Sequence, residues 1–208
     1  MQYQDMTRTT LATATTLMGA AAAVAADAPA VDKAALDSAL EALKTFDWGS
    51  DKDALRGIEK AIPATHGSAE ARKDLETRLA AVLGTGASRA AKDYVCRKLT
   101  IVGTAASVPA LAALLADKEL SHTARLALER IPGPEAGKTL RDALGTTTGA
   151  LKAGVIGSLG ARQDTESIAA LAALVADSDP AIGSAAATAL GDIGTRPSST
   201  RRSTRFFR

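Results

Sequence analysis

Two octapeptides constrain this chain more than any other feature. Residues 110–117 read Ala-Leu-Ala-Ala-Leu-Leu-Ala-Asp, and residues 170–177 read Ala-Leu-Ala-Ala-Leu-Val-Ala-Asp, seven identities in eight. A degenerate copy, Thr-Leu-Arg-Asp-Ala-Leu, falls midway at 139–144. A period of about 30 residues in a helix-forming sequence means stacked helix pairs. The spacing predicts an all-α fold, an α-solenoid of about ten short antiparallel helices, and the 208 residues hold about five such repeats.

Composition supports the same reading. Only Phe46, Trp48 and Tyr94 supply aromatic rings between the N-terminal segment and the C-terminal tail. The core must therefore be built from Leu, Val, Ile and Ala. Small residues let helices approach closely, and alanine is the best helix former. No segment alternates with period two, so no sheet is expected.

Periodicity and punctuation place the helices at about 32–46, 52–62, 69–83, 89–102, 107–116, 121–131, 135–144, 149–159, 165–176 and 181–193. Pro63 is expected to stop the second. Ser68 and Ser88 are expected to cap the third and fourth, and Gly84, Gly103, Gly160 and Gly194 to follow helix ends. Asp179-Pro180 is a cap followed by Pro at the first helical position. Repeated apolar positions are Leu99, Leu128, Ile156 and Leu190 in one helix type, and Leu111, Leu140 and Leu171 in the other. Counting pairs from 89–102 leaves one unpaired helix at each end.

The residues needed for most chemistries are missing. His66 and His122 are the only histidines and Cys96 the only cysteine, none at ligand spacing with another, which argues against a metal site. Ser121 and His122 are adjacent and point about 100° apart on a helix, so they form no dyad. Ser121 reads as a helix cap and His122 as a surface residue. Cys96 reads as a small buried hydrophobe. There is no glycine-rich phosphate loop and no Cys-x-x-Cys-His haem attachment sequence. Glu70, Asp74 and Glu76 interleave with Arg72, Lys73 and Arg78 as a solvated, ion-paired helix face. No cofactor and no catalytic residue is assigned.

The termini differ from the body. Residues 11–26 carry no charge, follow Arg8, and offer Val24 and Ala26 as the small residues of a cleavage site. This is the pattern of a secretory signal peptide cut after Ala26, too short and Thr-rich for a stable membrane span. It predicts a periplasmic or secreted protein, with 27–195 as the solenoid. Residues 196–208 hold five Arg and no acid. They begin where a further partner helix is due, and read as a truncated or shifted reading frame in preference to a peptide-docking or anionic-surface tail. Removing both ends leaves a body of net charge about −3, which weighs against nucleic-acid binding.

Residues 120–131, 151–160 and 181–194 resemble bacterial HEAT repeats of the short class also seen in phycobilisome lyase subunits. The resemblance runs over about 92–194 and is weaker over 32–91. With Ala91-Lys92-Asp93-Tyr94-Val95-Cys96-Arg97, the body also looks like uncharacterised exported bacterial HEAT-repeat proteins. HEAT motifs specify packing, so no functional residues carry over. The resemblance implies a non-enzymatic scaffold that binds another exported protein through the concave row of second helices. That row would present Lys118, then Lys138, Arg141 and Asp142, then Glu166 and Ser167. Self-association through an open C-terminal edge is a further expectation. An accessory lyase subunit is the alternative function, and a nucleic-acid-binding solenoid a weaker one. The loop at Phe46-Asp47-Trp48-Gly49 is expected to fold its rings back over the first helices.

Overall fold

The structure, a computed structural model, describes residues 30–194. The expected signal peptide at 1–26 and tail at 196–208 lie outside the described residues. Among the described residues ten α-helices follow in order: α1 Lys33–Thr45, α2 Arg56–Ala64, α3 Ala69–Leu83, α4 Arg89–Val102, α5 Val108–Ala112, α6 Ser121–Arg130, α7 Pro134–Ala143, α8 Gly149–Arg162, α9 Ile168–Leu174 and α10 Pro180–Gly194. Short 3-10 turns precede α2, α5 and α9, at Lys52–Leu55, Ala105–Ser107 and Thr165–Ser167. Among the described residues there is no β-strand.

Where the sequence carries a side-chain cap, the helix starts as expected. Asp32 Oδ1, Ser68 Oγ and Ser88 Oγ accept backbone N–H bonds from Ala35, Ala71 and Ala91 at 3.0–3.2 Å. Asp179 Oδ1 accepts from Ala181 N–H at 2.9 Å, with Pro180 at the first helical position. Each such bond satisfies a donor that the helix itself leaves unpaired.

Several boundaries differ from the sequence reading. Pro63 does not stop α2; it sits in the last turn, and the Thr65 N–H closes the helix on Ala61 O and Ile62 O. Gly160 lies inside α8, which continues to Arg162 and ends on Gln163 in the left-handed region at φ 55°. The role of Gly160 is packing: a Cβ there would stand 2.9 Å from Ala189 Cα of α10. Gly194 is itself the last residue of α10. Ser121 is not a cap. It is the first helical residue of α6, buried, and its hydroxyl has no hydrogen-bond partner. Asp117 organises that turn instead, its Oδ1 accepting from Glu119 N–H and Leu120 N–H at 2.8 and 3.0 Å.

Pairing also runs in a different phase. Each of α3, α5, α7 and α9 packs more extensively on the helix that follows it than on the one before, and α1 packs on α2. The ten helices therefore form five pairs, α1–α2, α3–α4, α5–α6, α7–α8 and α9–α10, and neither terminal helix is left over. The second partners α4, α6, α8 and α10 stack in that order, most closely at α8–α10. The first partners α3, α5 and α7 line the other side. Leu99, Leu128 and Ile156 are fully buried in the stack of second partners, and Leu111, Leu140 and Leu171 on the first partners. Leu190 is half-buried. Each fully buried side chain of this size contributes roughly 1.5–3 kcal/mol, and the partner helix and the neighbouring pairs together supply the cover.

One polar contact runs against the sequence reading. Glu76 is not on a solvated face: it is buried, and its carboxylate accepts from Thr104 N–H at 2.6 Å, from Thr104 Oγ at 2.9–3.0 Å and from Ser107 Oγ at 2.5 Å. It thereby ties α3 to the turn that opens α5. Glu76→Ala would leave that buried N–H and the Ser107 hydroxyl unpaired. A loss of about 3 kcal/mol in urea unfolding is the expected result, whereas Glu70→Ala on the exposed face should stay within about 0.5 kcal/mol of wild type.

Candidate interaction surface

The four residues singled out from the sequence lie together, on α7 and the 3-10 turn before α9. Leu140 anchors α7 in the core and leaves the opposite face outward. Lys138 Nζ meets Asp142 Oδ2 at 2.6 Å, one turn apart, both well exposed. Arg141 reaches across to the next pair: Nη1 donates to both Asp164 oxygens at 2.6 and 2.7 Å, and Nη2 lies 2.8 Å from Glu166 Oε2. Arg141 and Asp164 are mostly covered, whereas Glu166 is exposed. Gly137 gives the clamp room, because a Cβ there would stand 3.2 Å from Asp164 Oδ1 and 3.3 Å from Arg141 Nη1. The turn is closed from behind by Ser167, which is buried and donates from Oγ to Asp164 O at 2.6 Å. Ser167 is therefore not a surface residue, contrary to the sequence reading. Lys118 is exposed.

This surface is a fixed pattern of paired charges. A ligand meeting Arg141 would have to displace two carboxylates, so the accessible groups are Lys138, Asp142 and Glu166. Exposed pairs of this kind are individually weak.

A second polar cluster was not visible in the sequence. Tyr94 Oη donates to Glu59 Oε1 at 2.9 Å, Lys98 Nζ lies 2.5 Å from the same oxygen, and Lys98 sits 4.8 Å from the centre of the Tyr94 ring. It joins α2 to α4 across 35 residues of chain. Burial, and then the Glu59 carboxylate, hold the Tyr94 phenol well above its usual range. Burial pulls Glu59 upward, but the Lys98 and Tyr94 donors outweigh it and leave its carboxyl below the usual value. These pairings account for the groups as structural ties.

The remaining candidates separate cleanly. Cys96 is fully buried, and burial pushes its thiol up to about 12, so it is a core residue and not a nucleophile. His122 is exposed beside the buried Ser121. Among the described residues no group of three His, Cys, Asp or Glu side chains could hold a metal ion. The loop aromatics divide. Phe46 packs into the core near Tyr94, ring centres 6.2 Å apart, while Trp48 is 67% exposed and does not fold back. Two further apolar side chains stand out on α9 and just past its end. Ile168 and Val175 are 42% and 45% exposed, whereas Val108 and Leu115, their counterparts in the earlier copy of the repeat, are 5% and 4%. The repeat equates these positions, but sequence alone does not tell which of the equated side chains are covered.

Residues 147–201 match the family model for HEAT repeats. No curated protein and no solved structure matches the chain. With stacked antiparallel pairs throughout the described residues, the fold is that of a HEAT-type helical solenoid. No helix among the described residues is long and apolar enough to cross a membrane.

Two outcomes follow from this geometry. Arg141→Met should cost about 1 kcal/mol and speed hydrogen exchange at 164–168 while leaving α3 and α4 unchanged. The thiol of Cys96 should also give stability a pH dependence. Its folded pKa lies above the unfolded one, so the folded state keeps a proton that the unfolded state loses. Stability is then intact below about pH 9 and falls with a limiting slope of about 1.4 kcal/mol per pH unit toward about pH 12. Comparing Cys96→Val with wild type in urea titrations across that window isolates this contribution, since the valine variant should lack it.

Proposed function

We propose that this chain is a non-enzymatic protein-interaction scaffold that works outside the cytoplasm. The observation carrying the reading is the ordered charge row on α7 and the following turn, mounted on a stack of helix pairs whose interior polar groups join one pair to the next. HEAT repeats generally serve as such scaffolds, and the match over residues 147–201 supports the class. The partner is a protein that reads Lys138, Asp142 and Glu166 together. Export rests on the uncharged segment at 11–26 with its Val24 and Ala26 cleavage pattern.

Two measurements test the halves separately. N-terminal sequencing of the native protein should find Asp27 first; a chain retaining Met1 or Met6 would refute export. Affinity isolation from the envelope fraction should recover one stoichiometric partner with wild type and lose it with the charge swap Lys138→Glu/Asp142→Lys, whose own ion pair is preserved in reverse. Equal recovery by both proteins would show that binding does not use this face.

A further inference from the structure

Charge divides unevenly between the two kinds of helix. The second partners α2, α4, α6 and α8 hold ten Lys or Arg and three acids, whereas the first partners α1, α3, α5 and α7 hold seven of each. The second partners thus carry a cationic excess that the net charge of the body conceals.

Successive second partners are bridged in different ways. Between α2 and α4 the cluster of Glu59, Tyr94 and Lys98 crosses the gap. Between α6 and α8 Arg125 lies over Gly154, where a Cβ would stand 2.5 Å from its Cζ. Its Nη1 donates to Gly154 O at 2.7 Å and to Ser158 Oγ at 3.2 Å, and Ser158 Oγ donates to Glu129 Oε1 at 2.7 Å. The register that equates Leu99 with Leu128 also equates Cys96 with Arg125 and Thr100 with Glu129. Neither residue of α4 can make the same crossing to α6. Cys96 is fully buried, and Thr100 donates its hydroxyl to Arg97 O at 2.6 Å on its own helix.

The α4–α6 step is consequently left with a groove of about 460 Å³, lined by Arg97, Thr100, Ile101, Leu126 and Arg130. Its floor is apolar: Ile101 is 53% exposed and Leu126 half-buried. The two arginines stand on different helices. Among the described residues no acid pairs with Arg130, which is exposed. Arg97 keeps most of its side chain exposed, although its Nε donates to Asp93 Oδ2 at 2.8 Å.

We propose that this groove docks an acidic segment of a partner protein, with an apolar side chain of that segment on Ile101 and Leu126 and its carboxylates against Arg97 and Arg130. Guanidinium forks pair with carboxylates through charge-assisted hydrogen bonds. The exposed floor between them calls for an apolar group in the same ligand. A nucleic-acid backbone supplies the anions but no aliphatic side chain to cover Ile101. The charge row of α7 belongs to the first partners, so this inference does not rest on it and either surface can fail alone.

An NMR titration of the full chain tests it, with the capped pentapeptide Glu-Glu-Leu-Glu-Glu as the probe. Saturable shifts are expected at the amides of 97–101 and 126–130, and none there with Lys-Lys-Leu-Lys-Lys. Arg97→Gln and Arg130→Gln should each weaken binding about fivefold, whereas Lys60→Gln, which removes the same charge from exposed α2 surface, should change it less than about twofold. Ile101→Ser should weaken binding of the leucine peptide about fivefold and leave Glu-Glu-Ser-Glu-Glu unaffected. The substituted side chains are exposed, and the spectra report directly whether each variant keeps its fold. Absence of saturable shifts at these amides would overturn the proposal. Equal weakening by Lys60→Gln would overturn it as well, since attraction would then be diffuse. So would shifts at the same amides with a short oligothymidylate and none with the acidic peptide, which would assign the groove to a nucleic-acid backbone.

Discussion

Close backbone approach holds this stack together. With almost no aromatic rings available, the helices cannot be spaced by large side chains, and packing must come from bringing main chains near each other. Glycine occurs where that approach is tightest. A Cβ on Gly57 would lie 2.1 Å from Ala35 O between α1 and α2, and one on Gly183 would lie 2.9 Å from Val175 O beside α9. Gly160 against Ala189 makes the same accommodation between α8 and α10, the most extensive helix contact among the described residues. These glycines lower intrinsic helix propensity by about 1 kcal/mol each. Their placement at contacts shows that pair-to-pair packing outweighs that loss.

Polar stitches then fix the spacing that small residues allow. Arg162 of α8 donates to Leu128 O, to Ile131 O at 2.7 Å and to Gly133 O at 2.9 Å, closing the C-terminal end of α6 from the neighbouring pair. Within one pair, Arg72 of α3 closes the C-terminal end of α4, through Ile101 O at 2.5 Å and Val102 O at 3.3 Å. Burial pulls the Arg125 and Arg162 guanidinium groups below their usual range, yet both reach backbone carbonyls of neighbouring pairs. A cation at a helix C-terminus satisfies orphan carbonyls and complements the dipole at once. Where donor and acceptor belong to different pairs, the stitch makes one repeat's helix end depend on the next repeat being in place. That dependence is what turns five marginal hairpins into one cooperative array.

How much of this was legible in the sequence depended on whether the deciding interaction was local. The boundaries of 69–83 and 89–102 could be read to the residue because Ser68, Ser88, Gly84 and Gly103 act within one turn of themselves. Ser121 misleads because the same residue type stands at a helix start already organised by Asp117, four positions earlier. Glu76 could not be placed, since its partners lie 28 and 31 residues away and Asp74 and Arg78, two positions to either side, make the segment read as a charged face. Gly160 reads as a terminator because a glycine at a helix end and one at a helix contact look alike in one dimension. The pairing phase was likewise out of reach: the period fixes the repeat unit but not which adjacent helix is the closer partner. For the charge row, the sequence placed Lys138, Arg141, Asp142 and Glu166 on one side, but only the structure shows Arg141 bound to Asp164.

A repeat array has a problem at its ends that a closed fold lacks. Every pair is made to be covered by another pair like itself, so an uncovered final face is complementary to the start of a further copy. Such heterologous contacts do not close and can propagate into filaments. Among the described residues Ile168 and Val175 stand open where Val108 and Leu115 are sealed. The surrounding composition opposes such contacts. Residues 163–194 hold five acids and no Lys or Arg, which disfavours contact with another copy of the same segment, although Arg141 already offsets Asp164 and Glu166. The apolar face and its charge therefore have to be read as one feature: the hydrophobic stripe supplies attraction without selectivity, and the missing lysines and arginines of residues 163–194 decide what can approach.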